Sequence, residues 1–266
     1  MLRIAIAGAS GRMGKMLIEA VGNAADMTLA GALDIDTSPA IGSDATAFLG
    51  KSSGVAVTAD LQQGLQGADV LIDFTRPPAT LAHLAVCRRS GTRMVIGTTG
   101  FTESERAMIQ DAARDTAIML APNMSVGVNV AMKLIYMATR ALASGCDIEV
   151  VESHHRDKVD APSGTALKMG EVVAQAQGKR LADIEVHGRH GQTGPRKPGT
   201  VGFSAIRGGD IVGEHTVMFI GSGERIEITH RSTSRANYAA GSLRAARFIA
   251  ERTEGLYDMD DVLGLR

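Results

Sequence analysis

A short apolar run over residues 2–7 ends at Gly8 and gives way to Gly8-Ala9-Ser10-Gly11-Arg12-Met13-Gly14, with helical spacing over residues 12–21 behind it. No other stretch constrains the fold as tightly. A buried strand that turns at once into a helix needs glycine for the tight turn, for close approach of a pyrophosphate to the backbone, and for packing helix on sheet. The spacing Gly8-x-x-Gly11-x-x-Gly14 departs from the commoner G-x-G-x-x-G but keeps those mechanics. A second strand over residues 27–33 stops at Asp34, 20 residues after Gly14, where a carboxylate accepts hydrogen bonds from an adenine ribose. Strand, glycine turn, helix and acid in that order point to a bound dinucleotide rather than to a structural turn.

The first ~125 residues continue the alternation, the pattern of a parallel sheet covered by helices. Buried-type strands are expected over residues 68–74, 93–96 and 118–121. They end at Thr75-Arg76-Pro77-Pro78, Gly97-Thr98-Thr99-Gly100 and Pro122-Asn123. Thr102 with Glu105 forms a capping box for a helix reaching Arg114. Ligands of such sheets sit outside the carboxyl ends of the strands, so Thr75–Pro77, Gly97–Thr99 and Ala121–Met124 should line one crevice. Backbone groups of Gly97 to Thr99 and the Asn123 amide are candidates for the nicotinamide end, although each taken alone is also an ordinary turn.

The pattern then changes. A long apolar-periodic helix is expected over residues 126–143, a strand over 147–153 and a helix over 164–177. Strand-like pieces over residues 200–231, joined by Gly208-Gly209-Asp210 and Gly221-Ser222-Gly223, read as an antiparallel meander. Residues 180–198, polar and rich in Gly, Pro and His, read as a mobile loop, and residues 234–252 as a final Ala/Arg-rich helix. The expected fold is α/β. A Rossmann-type domain over residues 1–125 is joined by the carboxyl-terminal helix of 235–266. An α+β domain over 126–234 carries a mixed, mostly antiparallel sheet.

Charge and composition remove whole classes. Lys+Arg 28 against Asp+Glu 29 leaves a formal net charge of -1, which argues against a broad basic nucleic-acid face. No window approaches the ~20 apolar residues of a membrane span, and residues 1–4 lead into a strand rather than a signal peptide. Cys87 and Cys146 lie far apart, without metal-type spacing, as expected of reduced cysteines in a cytoplasmic protein.

The second informative stretch is Ser153-His154-His155-Arg156-Asp157-Lys158-Val159-Asp160-Ala161-Pro162-Ser163-Gly164-Thr165-Ala166. It gathers two imidazoles, a guanidinium and an ammonium into five positions, then opens a helix. Cations beside the bare N–H groups of a helix start make a receptacle for a small polyanion. The same residues include proton donors. An ordinary lysine, with a pKa of about 10.4, is a protonated donor at neutral pH, and histidine works in either direction. Structural hydrogen bonding and metal ligation are the competing readings of the paired histidines, but no carboxylate or cysteine follows at zinc-type spacing. His187 and His190 read as solvated, and Arg231 and Arg235 either bind a substrate carboxylate or stand exposed.

These motifs, with Asp73-Phe74-Thr75-Arg76-Pro77, Val95–Phe101, Asn123–Asn129 and Gly209-Asp210-Ile211-Val212-Gly213-Glu214-His215, resemble dihydrodipicolinate reductases in the right order along essentially the whole chain. The His-His-Arg-x-Lys-x-Asp-Ala-Pro-Ser-Gly-Thr run is highly specific. The resemblance implies an NADH- or NADPH-dependent reduction of 4-hydroxy-tetrahydrodipicolinate on the diaminopimelate route to lysine, in a cytoplasmic homotetramer assembled through the second domain. It implies His154 as general acid/base, Lys158 as proton donor, and His155, Gly164 and Thr165 as substrate contacts. Around the cofactor it implies Gly8, Ala9, Ser10, Gly11, Arg12, Met13, Asp34, Gly97, Thr98, Thr99, Ala121, Pro122, Asn123 and Met124. No metal is implied.

One departure bears on the cofactor. Many members carry Arg after the acid, and this chain has Ile35. Asp34 would also repel a 2′-phosphate, so NADH is expected to serve at least as well as NADPH, with Arg12 or Lys15 compensating in part. Two other readings keep the fold: an aldehyde, hydroxy-acid or sugar dehydrogenase, and a dinucleotide sensor without turnover. An aldehyde-type thioester mechanism lacks its catalytic cysteine, since Cys87 has no visible histidine partner, and a sensor has no use for His154 and Lys158 together.

Overall fold

Strand β1, Leu2–Ala7, alternates its side chains between two interiors: Ile4 and Ile6 enter one apolar cluster, Ala5 and Ala7 the other, and all four are at most 1% exposed. Burial on both faces is the mark of a parallel strand with helices above and below. In the computed structural model, which describes all 266 residues, β1 lies at the middle of such a sheet. Helix α1, Arg12–Gly22, follows the glycine turn and packs Leu17 and Ile18 onto the Ile4/Ile6 face. Next come β2 (Met27–Leu33), β3 (Val57–Thr58), the short α2 (Leu61–Leu65), β4 (Val70–Asp73), α3 (Pro77–Ser90), β5 (Arg93–Ile96), α4 (Glu103–Ala112) and β6 (Ala117–Leu120).

Local signals explain the helix ends. The capping box of α4 is formed, Thr102 Oγ1 accepting from Glu105 N while Glu105 answers to Thr102 N. The two prolines after β4 open α3 rather than merely end a turn, because a fixed φ and a missing N–H suit the first helical turn. Helix α3 buries Leu84 and Cys87 on the Ala5/Ala7 face, and burial pushes the Cys87 thiol up, away from reactivity.

In the second half, α5 (Val126–Leu142), β7 (Asp147–His154), α6 (Gly164–Ala176), β8 (Glu185–His187), β9 (Val201–Arg207), β10 (Gly213–Ile220) and β11 (Arg225–Ser232) form a five-stranded sheet with covering helices. The chain closes with α7 (Ala236–Ala250), β12 (Gly255–Tyr257) and α8 (Met259–Leu263). Strand β12 pairs with β6, completing a seven-stranded, all-parallel sheet of order β12-β6-β5-β4-β1-β2-β3, and α7 adds Ala245 and Ile249 to its core. Two compact units result: Met1–Val126 with Ala236–Arg266, and Gly127–Arg235. No helix is long and apolar enough to cross a membrane.

Two local expectations are corrected. The pieces over residues 200–231 are not a simple meander. The order is β11-β10-β7-β9-β8, so β7 separates β9 from β10. Pairing is antiparallel for β11–β10–β7 and parallel for β7–β9–β8, a sheet mixed in equal parts. The inward residues Ile148 and Val150 are buried to 2% or less, and a strand that deep needs partners on both edges. Nor is the stretch over residues 180–198 a free loop. It contains β8, and Arg196 donates to Glu149 Oε1 (2.8 Å), Asp147 Oδ1 (2.8 Å) and the carbonyls of Ile148 and Thr200. Arg189 forks onto the same Glu149 at 2.9 and 3.0 Å. Burial would raise the Glu149 carboxyl, but the two guanidiniums outweigh it and hold it low. The polar composition of the loop carried no sign of these acids, which lie 40 to 49 residues upstream of the arginines that hold them.

Candidate functional site

The glycine turn of the first unit is built for close approach. Gly8 has φ 71°, and a Cβ on Gly14 would lie 2.0 Å from Gly8 O and 2.8 Å from Ala9 Cα, so helix and turn touch through bare backbone. Helix α1 starts at Gly11 without a side-chain cap and with no acid in its first turn, which leaves its N–H groups for an anion. These residues fit a pyrophosphate. Ser10 N donates to Asp34 Oδ2 at 2.7 Å and Ile35 N to Oδ1 at 2.9 Å, while Ser10 Oγ and Ser38 Oγ lie 3.2 Å apart. Ala9 is buried, Met13 partly so, and Gly11, Arg12 and Ile35 are exposed.

Parallel pairing of β1 with β2 and β4, and of β5 with β4 and β6, brings the remaining residues of this set to neighbouring strand ends. Gly97 leaves room for the Phe74 ring, since a Cβ there would meet it at 2.3 Å. Thr98 turns inward: its hydroxyl accepts from Thr75 N (2.9 Å) and Thr80 Oγ1 (2.9 Å) and donates to Asp73 Oδ1 (3.2 Å). Only the backbone of Thr98 is left to face a ligand, while Thr99 and Pro122 are exposed. Asp73, fully buried, also accepts from Thr75 and from His83 Nδ1 at 2.7 Å, tying the ends of β4 and β5 to α3. Ala121 and Met124 are buried, Asn123 Oδ1 accepts from Ser125 N, and a Cβ on Gly241 of α7 would lie 1.8 Å from Met124 O.

The charged run lies in the second unit, at the end of β7. His154 is the last strand residue, and a turn closed by Lys158 N on His155 O at 3.2 Å folds the chain back. Lys158 Nζ meets both oxygens of Asp160 at 2.7 and 2.9 Å, which holds the Asp160 carboxyl below its ordinary range. Ser163 caps α6 through Ala166 N, so the N–H groups of Gly164 and Thr165 stand at an open helix start with no acid in the first turn. Gly164 is exposed, and His155 and Thr165 are partly so.

Beneath these residues lies a network that motif reading passed over. Glu152, 1% exposed, accepts from His154 Nδ1 (2.6 Å), Ser163 N (3.0 Å) and both terminal nitrogens of Arg207 (2.7 and 2.8 Å). Arg207 reaches on to Asp160 O at 2.6 Å. Burial would raise the Glu152 carboxyl; the donors from Arg207, His154 and Ser163 prevail and hold it low. His215 joins Ser163 Oγ at 2.8 Å and meets the His154 ring edge-on at 5.1 Å, and burial pushes its pKa down to about 4. A signal for Glu152 existed in the strand alternation, where a carboxylate shares the inward register of Ile148 and Val150. Arg231 pairs loosely with Glu214 at 3.4 Å and Arg235 is exposed. His187 stacks on Phe203 with ring centres 5.2 Å apart.

Family models described as "Dihydrodipicolinate reductase, N-terminus" and "Dihydrodipicolinate reductase, C-terminus" match residues 2–124 and 127–263. The chain belongs to the dihydrodipicolinate reductase family. It is 64% identical over 265 residues to the 4-hydroxy-tetrahydrodipicolinate reductase of Herminiimonas arsenicoxydans, covering 100% of this chain and 99% of the relative. It is 62% identical to that of Burkholderia pseudomallei strain 668, covering 100% of both. Among solved structures, the dipicolinate-bound dihydrodipicolinate reductase from Paenisporosarcina sp. TG-14 superposes with a TM-score of 0.77 at 26% identity over 98% of each chain. A likeness to myo-inositol 2-dehydrogenase from Lactobacillus plantarum extends to the fold alone: TM-score 0.58, 11% identity, 98% of this chain and 93% of that one.

Proposed function

We propose that the chain reduces 4-hydroxy-tetrahydrodipicolinate to tetrahydrodipicolinate with a nicotinamide dinucleotide, a step of lysine biosynthesis through diaminopimelate. The observation that carries this reading is the single hydrogen-bonded cluster that joins Lys158, His154 and the open start of α6. The N–H groups of Gly164 and Thr165 suit one substrate carboxylate, and His155 with Lys158 suits the other. When bound, the reduced nicotinamide supplies hydride. The hydroxylated substrate loses water, and the double bond so formed takes up that hydride and one proton. Lys158 Nζ donates the proton, and His154 moves a proton at its outer nitrogen as general acid/base.

Gly8 to Met13, Asp34, Gly97 to Thr99 and Ala121 to Met124 hold the dinucleotide in this reading. Asp34 accepts from the adenine ribose, and its charge, with Ile35 beside it, favours NADH at least as much as NADPH. The protein works in the cytoplasm as a homotetramer. Ile206, 52% exposed on the sheet face opposite Phe203, supports assembly through the second unit, and light scattering on the purified protein tests it.

The decisive assay follows NADH absorbance with enzymically generated hydroxytetrahydrodipicolinate and is then repeated with NADPH. His154→Ala and Lys158→Ala should each lower kcat by about 10²–10⁴-fold while dinucleotide binding persists. Unimpaired turnover in both variants rejects the site, and a tenfold advantage in kcat/KM for NADPH rejects the cofactor preference.

A further inference from the structure

We propose that Glu152 is a positioning residue that keeps a proton on His154 Nδ1 and so reserves His154 Nε2 for proton exchange with the substrate. The inference rests on the functional reading above. A carboxylate inside a sheet persists only when its lone pairs are filled by donors, and Glu152 has four: Ser163 N and Arg207 Nη2 on Oε1, His154 Nδ1 and Arg207 Nη1 on Oε2. With those donors holding it ionised, the group accepts and cannot donate. A ring nitrogen 2.6 Å from such an oxygen must therefore bring the proton itself. The neutral ring then carries its lone pair on Nε2, and the imidazolium carries there the proton it can release.

The surroundings agree. Residues 152 and 154 share one face of β7, so strand geometry alone aims the two side chains together. Nε2 looks toward Gly213 of β10, where a Cβ would stand 3.0 Å away, so the absent side chain leaves that nitrogen clear. The charged and titratable groups around the ring are Glu152 on its own strand, Arg207 on β9, His215 on β10, and Lys158 with Asp160 on the following loop. Arg207 is committed to Glu152 and Asp160 O. His215, kept neutral by burial, engages Ser163 rather than the carboxylate. Only His154 offers an imidazole N–H to Glu152.

The same carboxylate anchors Ser163, the cap of α6, but through the other oxygen. That division separates catalysis from binding. Glu152→Gln can present its amide oxygen to Ser163 N and Arg207 Nη2 while its NH2 faces His154 Nδ1, giving up the Arg207 Nη1 bond made by the second carboxylate oxygen. The substitution drives the ring proton to Nε2 and leaves the anion-binding helix start in place.

Nitrogen-15 spectra of the histidine-labelled enzyme, with His154 assigned by loss of its signals in His154→Gln, should show the neutral ring protonated on Nδ1. A neutral ring protonated on Nε2 overturns the proposal without any Glu152 variant. In Glu152→Gln the proton should move to Nε2 and kcat should fall about 100-fold or more. KM for the dicarboxylate should stay within about threefold of wild type and the pH–rate profile should change shape. Glu152→Asp, still an acceptor-only group, should recover about tenfold of the loss. A kcat for Glu152→Gln within about threefold of wild type sinks the proposal, as does a loss carried by KM with the His154 signals unmoved. If wild type itself fails to reduce the substrate, the functional reading falls and the tautomer measurement still decides the role of Glu152.

Discussion

Ser10 N donates to Asp34 Oδ2 at 2.7 Å, fastening the glycine turn after β1 to the end of β2. Each oxygen of Asp34 takes one backbone N–H, from Ser10 or Ile35, and a carboxylate offers about four lone-pair sites. Acceptor capacity therefore remains for the ribose hydroxyls of the dinucleotide proposed above, and in that reading a carboxylate here disfavours a 2′-phosphate. Asp34→Ala should raise KM for NADH by roughly 10–100-fold, the loss of a charge-assisted hydrogen bond worth about 1.5–3 kcal/mol. The variant should also move the ratio of kcat/KM toward NADPH. Steady-state kinetics with both dinucleotides measure it, and an unchanged ratio would remove Asp34 from cofactor selection.

Lys158 and Asp160 differ in kind although they touch. An ion pair whose carboxylate is 56% exposed adds little, about 0–1 kcal/mol. Asp160→Asn should therefore leave the unfolding free energy within about 1 kcal/mol and kcat within about tenfold, against the 10²–10⁴-fold loss expected for Lys158→Ala. Equal losses in the two variants would show that the pair, rather than the ammonium, is the working unit.

Gly213 has ordinary strand geometry, yet a Cβ there would press His154 Nε2 at 3.0 Å. Gly213→Ala should leave the thermal midpoint within a few degrees, because alanine is no worse than glycine in a strand. It should depress kcat about tenfold or more by turning the imidazole. Activity and melting curves of the one variant decide the point: full activity would mean that the ring yields freely.

His215 makes the second unit sensitive to mild acid. Its folded pKa is near 4, pushed down first by burial and then by the neighbouring His154, against 6.5 in the unfolded chain. Between those values the unfolded state binds the extra proton, so the stabilisation is complete above about pH 6.5 and drains away as pH falls toward 4. At about 1.4 kcal/mol per pKa unit the full loss is about 3–4 kcal/mol. Denaturant midpoints should fall from pH 7 to pH 5, and His215→Gln should flatten that slope. Glu152 and Glu149, lowered from an ordinary value of 4.5, act below the measured span of pH 7 to 5, whereas His230, lowered by burial, adds to the same slope and leaves a residual one in His215→Gln. An unchanged slope in His215→Gln would place the acid sensitivity elsewhere.

The elements of the first unit were legible because each carries its reason locally. The run from Leu2 to Ala7 is apolar on both faces, Thr102 and Glu105 sit at capping-box spacing, and glycines occupy the turn that would reject a Cβ. The Gly8–Gly14 turn and the run from Ser153 to Ala166 are each contiguous in the chain and are legible for the same reason. Thr98 shows the limit of such reading: its place at a strand end is visible, but the inward turn of its hydroxyl depends on Asp73 and Thr80, which come from other elements.

By itself, the order of residues determined the parallel sheet, the glycine turn, the acid at Asp34 and the histidine–lysine run, since strand, turn and helix preferences act over a few residues. Tertiary structure alone decided that β7 separates β9 from β10 and that Arg196 ties its loop to Asp147 and Glu149. It alone also decided that Arg207, 55 residues from Glu152 in the chain, settles the charge of that buried carboxylate. Desolvation and ion pairing are set by what lies within a few ångströms in space, and sequence distance does not encode that.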